Sequence, residues 1–446
     1  MEITKKNKYL ALLSILIIFI ISRIYVYNIL EIKPSDTISQ YWQISHLDLL
    51  YNDLINTLIY SHTQPFLWNL IVGIVLKINN GNEFETVKSM LFLNYIFSLL
   101  IFYYSFLILE NFKFTIKQRT LCVILLCLYP GVIFYENLIF YSHLTCLLIF
   151  QTFYYFVRIL QINQTKYEYL IYINFLILGF IWTAFHPLIL ILSFMLINFI
   201  TKKNIRFNNI LVFIFILFLS SIPFIKNKVI FGISSSGWTG FYLCQTIVFK
   251  TNIPECPHNE SSSTEYHQEE YFKKYNKNKE DLDHPNLNIG PMSKRHNLGF
   301  IVASDELLEK TKNFIINNPE KYIAQRIHAI FASHGKFSFD YGIKPQNWET
   351  NFRFQLRIEN NDKLKILRQV IVFTIMILIY SNILFFLFKK NDLNQKKALI
   401  FLTFLYLYFY SLSIATNGHE HERIMFTWVV INFLSLSLLF KKIIKI

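Results

Sequence analysis

The sequence predicts an all-α polytopic membrane protein with about ten transmembrane helices, and three observations carry that expectation. Of 446 residues, 53% are hydrophobic and only 16% charged, against about 25% charged in soluble domains. Apolar runs of about 18 or more residues recur, the length that crosses a hydrocarbon core of about 30 Å. Basic residues gather in the short segments between those runs, as the positive-inside rule requires. That rule accounts for most of the net charge of +14, so no nucleic-acid partner is expected. The five cysteines form no C-x-x-C or other metal pattern.

Taken in order, Lys5, Lys6 and Lys8 precede the first run, residues 9–30, and place the N-terminus in the cytoplasm. The run is too long for a signal-peptide core and lacks a small-residue cleavage site, so it reads as a retained span. Residues 31–88 then form a first external segment. Within it, PFLWNLIVGIVLKI (65–78) covers only about 21 Å at 1.5 Å per residue. It is too short to cross and reads as a helix lying at the outer interface, with Trp68 at headgroup depth. Pro65 suits its first turn.

Spans two to seven are expected at 89–109, 120–135, 138–157, 169–185, 187–200 and 207–225. Pro187 leaves open that the fifth and sixth are one kinked helix. A large external region, 226–368, follows, and spans eight to ten are expected at 369–388, 398–416 and 424–440. Every dense basic cluster beside a span lands on one side, which places both ends in the cytoplasm. The chain thus divides into an N-terminal module (1–225), the external region (226–368) and C-terminal helices (369–446). In the external region, residues 303–334 have helical spacing, with a cap expected at Ser304 and a break at Pro319. Cys244 and Cys256 both fall there, on a face that would be oxidising, and a disulfide between them is open.

Several polar residues are concentrated where the spans would emerge. Asp36, in PSDTISQYWQIS, is either a helix cap or a carboxylate able to take a proton from a hydroxyl. His46, His62, Asp48 and Asp53 are metal ligands by type, but their spacing matches no zinc or calcium loop. HTQP (62–65), with His62 and Gln64, starts the interfacial helix. YPGVIFYENLIFYSH (129–143) brings Glu136, Asn137 and His143 to one turn. NGHEHER (417–423) brings His419, His421 and Arg423 to another. There Arg423 would pair with Glu420 or Glu422, or grip a lipid phosphate through its bidentate fork. In FGISSSGWTGFYL (231–243), three serines and two glycines offer donors beside Trp238, which could stack on a sugar or anchor at an interface.

Together PSDTISQYWQIS, HTQPFLWNLIVGIVLKI, LLCLYPGVIFYENLIFYSHLTCLLIF and HERIMFTWVVI resemble the GT-C superfamily of integral membrane glycosyltransferases. Protein O-mannosyltransferases and the aminoarabinose transferases of lipid A look most similar. The similarity covers most of residues 1–245 and the last 30. It implies a GT-C-like bundle with interfacial helices in the first external loop. The activity implied is sugar transfer from a polyprenyl-phosphate donor to an acceptor hydroxyl on a glycan, lipid or protein, at the periplasmic face of a bacterial inner membrane. Asp36 stands at the family's acidic position and would be the catalytic base. Arg423, with His419 or His421, would stabilise the leaving phosphate. Glu136, His143, His62, Gln64 and Trp238 would line the donor site. Two positions depart from the pattern: Ser142 and His143 stand where an acid is common, and Thr37 follows Asp36 where many members have a second acid. No cofactor is implied, and a divalent cation is left open. An O-antigen polymerase or ligase using Lys294 and Arg295 is a competing reading, as is a polytopic lipid or sugar transporter.

Overall fold

The computed structural model describes residues 2–28, 37–38, 44–162, 164–182, 185, 187–201, 207–233, 235–245, 268–288, 297–335, 381, 392–415 and 429–443. Among these residues the regular elements are all helical. The first half contributes α1 (Glu2–Asn28), α2 (Leu47–Asn52), α3 (Leu54–Ile59), α4 (Phe66–Ile78), α5 (Glu83–Asn111), α6 (Ile116–Cys127), α7 (Pro130–Glu136) and α8 (Ser142–Ile162). Then come α9 (Thr165–Ile181), α10 (Pro187–Thr201), α11 (Phe207–Phe231) and α12 (Thr239–Gln245). The region beyond holds α13 (Gln268–Tyr275), a 3-10 turn (Glu280–Leu282), α14 (Pro285–Asn288), α15 (Leu298–Asn317) and α16 (Pro319–Gly335). Last are α17 (Leu393–Ala415) and α18 (Val429–Ile443).

The ten-span GT-C bundle is not what the chain forms. Among the described residues, four helices are long and apolar enough to cross a membrane: Lys6–Asn28, Glu83–Asn111, Ser142–Ile162 and Phe207–Phe231. The third expected span fails because the chain turns at Leu128–Tyr129 and restarts at Pro130, leaving helices of 12 and 7 residues. Pro130 has no amide hydrogen to continue a helix and begins a new one instead. The fifth and sixth expected spans become helices of 17 and 15 residues, below the roughly 20 that a crossing needs. Of the eighth, only residue 381 is among the described residues. The strict alternation behind a multi-pass inner-membrane placement with an external-face site therefore has no basis, and that assignment is withdrawn with the GT-C resemblance.

Local chemistry explains the helix ends. Asn82 caps α5 by accepting from Glu85 N at 3.2 Å. Thr115 and Gln118 form a reciprocal capping box on α6. Asn297, not Ser304, caps α15, accepting from Phe300 N at 2.7 Å. The hydrophobic run begins at Leu298, so the cap sits one residue before it. The break expected at Pro319 occurs there, between α15 and α16. The short helix expected at 65–78 forms as α4, but it buries Trp68 together with Val72 and Leu76 in the core.

One large aromatic-rich core joins α1, α4, α5, α6, α8, α9, α17 and α18. Two smaller clusters stand beside it, and the first takes in Phe231 at the end of α11. One contains Phe231, Ile233, Tyr271, Leu287 and Ile301; the other contains Trp238, Phe241, Cys244 and Phe300. The loop before α4 and the loop after α11 meet through hydrogen bonds from Gly237 N to the His62 carbonyl and from Ser236 Oγ to the Thr63 carbonyl. Cys244 is disulfide-bonded while Cys122, Cys127 and Cys146 are free. Cys256 lies outside the described residues.

Candidate anion-binding site

Two loops that are distant in sequence are sewn together by main-chain carbonyls. The His62 carbonyl accepts from Gly237 N at 3.1 Å and from Asn227 Nδ2 at 3.1 Å. The Asn227 amide also donates to Ser235 O at 2.9 Å. Ser236 Oγ donates to the Thr63 carbonyl. The His62 ring donates from Nε2 to Asn297 O at 3.3 Å and sits edge-on to Phe231 at 5.2 Å. A Cβ at Gly237 would lie 2.2 Å from His62 Nδ1, so glycine is what allows the ring to seat against this loop.

These contacts enclose a small cleft lined by His62, Gln64, Phe66, Lys226, Asn227 and Ser236, with Gly179, Pro223 and Phe224 on its apolar side. The enclosed space is about 10 Å³ measured to the centre of a water-sized sphere, room for one such group. Lys226 is the cation of the site. Its ammonium donates to the carbonyls of Ser61 and Ile59, the latter at 3.2 Å, and lies 5.6 Å from the Phe231 ring centroid. A lysine has three donors and no acceptor, so these two carbonyls leave one N–H to spend. Among the described residues no carboxylate forms an ion pair with it.

A second polar cluster lies at the join of α1, α5, α7 and α8. Arg23 grips Glu136 as a fork, Nε to Oε2 at 2.7 Å and Nη2 to Oε1 at 2.6 Å. Nη1 donates to the Cys127 carbonyl at 2.7 Å, and Phe19 stacks 4.5 Å from the guanidinium. Ser98 Oγ donates to Glu136 and pairs with His143 Nε2 at 2.6 Å. With its one proton given to Glu136, the Ser98 oxygen must accept, so His143 carries its proton on Nε2. Burial pushes the Glu136 carboxyl up, while the Arg23 charge and the Arg23 and Ser98 hydrogen bonds pull it back. Glu136 and His143 are both fully buried.

The expected site residues thus divide. His62 and Gln64 line the cleft, and Trp238 follows directly on the Ser236–Gly237 wall. The Trp238 ring stacks on Phe241 at 5.3 Å and Phe300 at 5.6 Å rather than standing over the cleft. Glu136 and His143 belong to the Arg23 cluster. Asp36, His419, His421 and Arg423 lie outside the described residues. The residues missed are Lys226 and Asn227, while Ser236 comes from the serine turn that the sequence offered as a source of donors. A signal for Lys226 was present: it follows directly on the seventh apolar run, where a charge beside apolar residues calls for a polar partner.

No family model, no curated protein and no solved structure matches the chain. With four candidate crossing helices among the described residues instead of about ten, the polyprenyl-phosphate glycosyltransferase activity loses the architecture it required. It is not retained as an enzyme assignment.

Proposed function

We propose that the chain binds a phosphate-bearing lipid, with the phosphate held at Lys226. The observation that carries this reading is the ammonium itself. It is oriented by two main-chain carbonyls, lines a cleft, and has no carboxylate ion-pair partner among the described residues. An ammonium so fixed is a charge-assisted donor for a phosphate oxygen. Its position supports a lipid source, because α11 runs for 25 residues and exposes an apolar stripe through Leu211, Ile214, Phe218, Ile222 and Ile225. A tail laid on that stripe would bring its headgroup to the polar end of the helix. His62 and Ser236 complete the polar wall.

The test is direct binding by the purified full chain. Lys226→Gln should weaken binding of a short-chain anionic phospholipid about tenfold to a hundredfold, the effect of a lost charge-assisted hydrogen bond. Lys228→Gln, at an exposed neighbour, should leave it unchanged. Inorganic phosphate should compete poorly, since it lacks the tail. Equal binding by Lys226→Gln and the unaltered chain would sink the reading, and strong competition by inorganic phosphate would replace the lipid with a free anion.

A further inference from the structure

At one end of the helix bundle, cations from α1, α6, α17 and α18 converge on the turn between α5 and α6. Glu110, at the end of α5, accepts from Lys8 of α1 at 3.2 Å and pairs with Arg119 of α6 at 3.0 Å. Lys113, in the turn itself, pairs with Asp392 at 3.3 Å, directly before α17. The end of α18 reaches the same turn, where Lys441 donates to the carbonyls of Phe112 and Lys113 at 2.8 and 2.9 Å. The carboxylates Glu110 and Asp392 are thus already matched. Lys6, Lys117, Lys396 and Lys397 stand near the starts of α1, α6 and α17, and none of them forms an ion pair among the described residues. The opposite ends of α1 and α5 carry no such excess. Arg23 is matched there by Glu136, and Glu83 and Glu85 open α5 ahead of Lys88.

Lys441 gives this face a fixed point. Its ammonium is oriented by two main-chain carbonyls beside the Phe114 ring, 4.7 Å from the centroid, which leaves one N–H to donate. A cationic face suits any polyanion, and the apolar side chains set into it decide which. Tyr9 is 71% exposed and Leu10 52%, directly after Lys8, and Leu393 is 64% exposed beside Asp392. Against a soluble polyanion these side chains gain nothing. At a lipid surface they enter the boundary between headgroups and acyl chains while the lysines stay with the phosphates.

We infer that this end of the bundle docks on an anionic phospholipid surface. It shares no residue with the Lys226 cleft, so it is a separate lipid contact, made to a surface and not to a single headgroup. Each exposed lysine adds attraction to the negative surface potential, and the attraction fades within a Debye length.

The test is sedimentation of the purified full chain with preformed vesicles of phosphatidylcholine, alone or mixed with an equal amount of phosphatidylglycerol. The mixed vesicles should bind at least about tenfold more tightly, and added salt should remove the difference. Lys6→Gln/Lys117→Gln/Lys397→Gln should weaken binding to the mixed vesicles about tenfold to a hundredfold. Lys273→Gln/Lys279→Gln/Lys310→Gln removes the same charge from exposed positions on and beside α13 and α15 and should bind as the unaltered chain does. Thermal unfolding should be alike in the two triple variants. Equal binding to both kinds of vesicle overturns the inference, and so does an equal loss in the two triple variants, which would make the attraction one of net charge alone. Loss of vesicle binding in Lys226→Gln but not in the first triple variant moves the contact to the cleft and overturns it too. An RNA oligonucleotide bound as tightly as the mixed vesicles, and lost with the first triple variant, replaces the lipid surface with a soluble polyanion. Failure of the Lys226 reading is separate: Lys226→Gln then binds short-chain lipid normally, while the vesicle results stand.

Discussion

Replacing Arg23 with Met is expected to lower the unfolding free energy by about 3–5 kcal/mol, because it leaves the Glu136 carboxylate buried without its counter-charge. The geometry explains the size. Glu136 is 0% exposed and receives two guanidinium bonds of 2.6 and 2.7 Å, a bidentate pairing among the stronger protein hydrogen bonds. Water cannot reach the carboxylate to replace them. The same substitution also frees the Cys127 carbonyl from Arg23 Nη1. The double variant Arg23→Met/Glu136→Leu should recover most of the loss, since exchanging a buried pair for apolar side chains is often neutral or stabilising. Lys88→Met breaks an exposed pair with Glu85 at 2.8 Å and should cost less than about 1 kcal/mol. Unfolding monitored by helical circular dichroism separates the three. A loss in Arg23→Met no larger than in Lys88→Met would show that the buried cluster does not brace α1 against α7.

The second large effect is expected at Gly240. A Cβ there would fall 1.6 Å from the Ser304 carbonyl oxygen and 2.5 Å from its carbonyl carbon. These are backbone atoms of α15, so no rotamer change relieves the clash and the two helices must part. Parting them breaks the bond from Gly240 N to Ser304 Oγ, 2.9 Å, and opens the stack of Trp238, Phe241 and Phe300. Gly240→Ala should therefore cost about 3 kcal/mol or more, at or above the upper end for overpacking. Ser304→Ala removes only the hydrogen bond and should cost about 1 kcal/mol. Because α12 follows directly on Ser235–Gly237, Gly240→Ala should also weaken lipid binding at the Lys226 cleft, whereas Ser304→Ala should not. Intrinsic tryptophan fluorescence together with thermal unfolding checks both statements. Equal stability of the two variants would mean that α12 and α15 tolerate separation.

The contrast between α4 and the third expected span marks how far local pattern carries. In PFLWNLIVGIVLKI the proline stands before the apolar run, so run length and helix length agree, and α4 forms at 13 residues. In TLCVILLCLYPGVIFYEN (120–137) the proline stands inside the apolar run, and hydropathy alone reads through it. The chain instead breaks there, and Glu136 turns inward to Arg23. Apolar character is common to a crossing helix and a buried short one. What separates them is where the backbone stops, and here Pro130 was the local mark.

Ser304 teaches the same about caps. It has the right chemistry for a helix start and stands next to a charged run. The apolar residues Leu298, Phe300, Ile301 and Val302 are buried against α12 and α13. That packing extends the helix back to Asn297, and Ser304 Oγ serves Gly240 N instead. Tertiary burial outweighed a local signal worth about 1 kcal/mol.

The sequence by itself determined that the described elements would be helical, that residues 65–78 would make a short helix, and that Pro319 would divide two others. Each follows from apolar run length or from a proline that cannot donate, and both are local properties. It also placed His62 and Gln64 among the candidate site residues. Only the tertiary structure decided that Lys226, 162 positions after Gln64 in the chain, shares their cleft, and that Glu136 and His143 join Arg23 in another cluster. Those pairings depend on which loops the packed helices bring together. A lysine at the end of an apolar run looks the same in sequence whether water or two backbone carbonyls surround its ammonium.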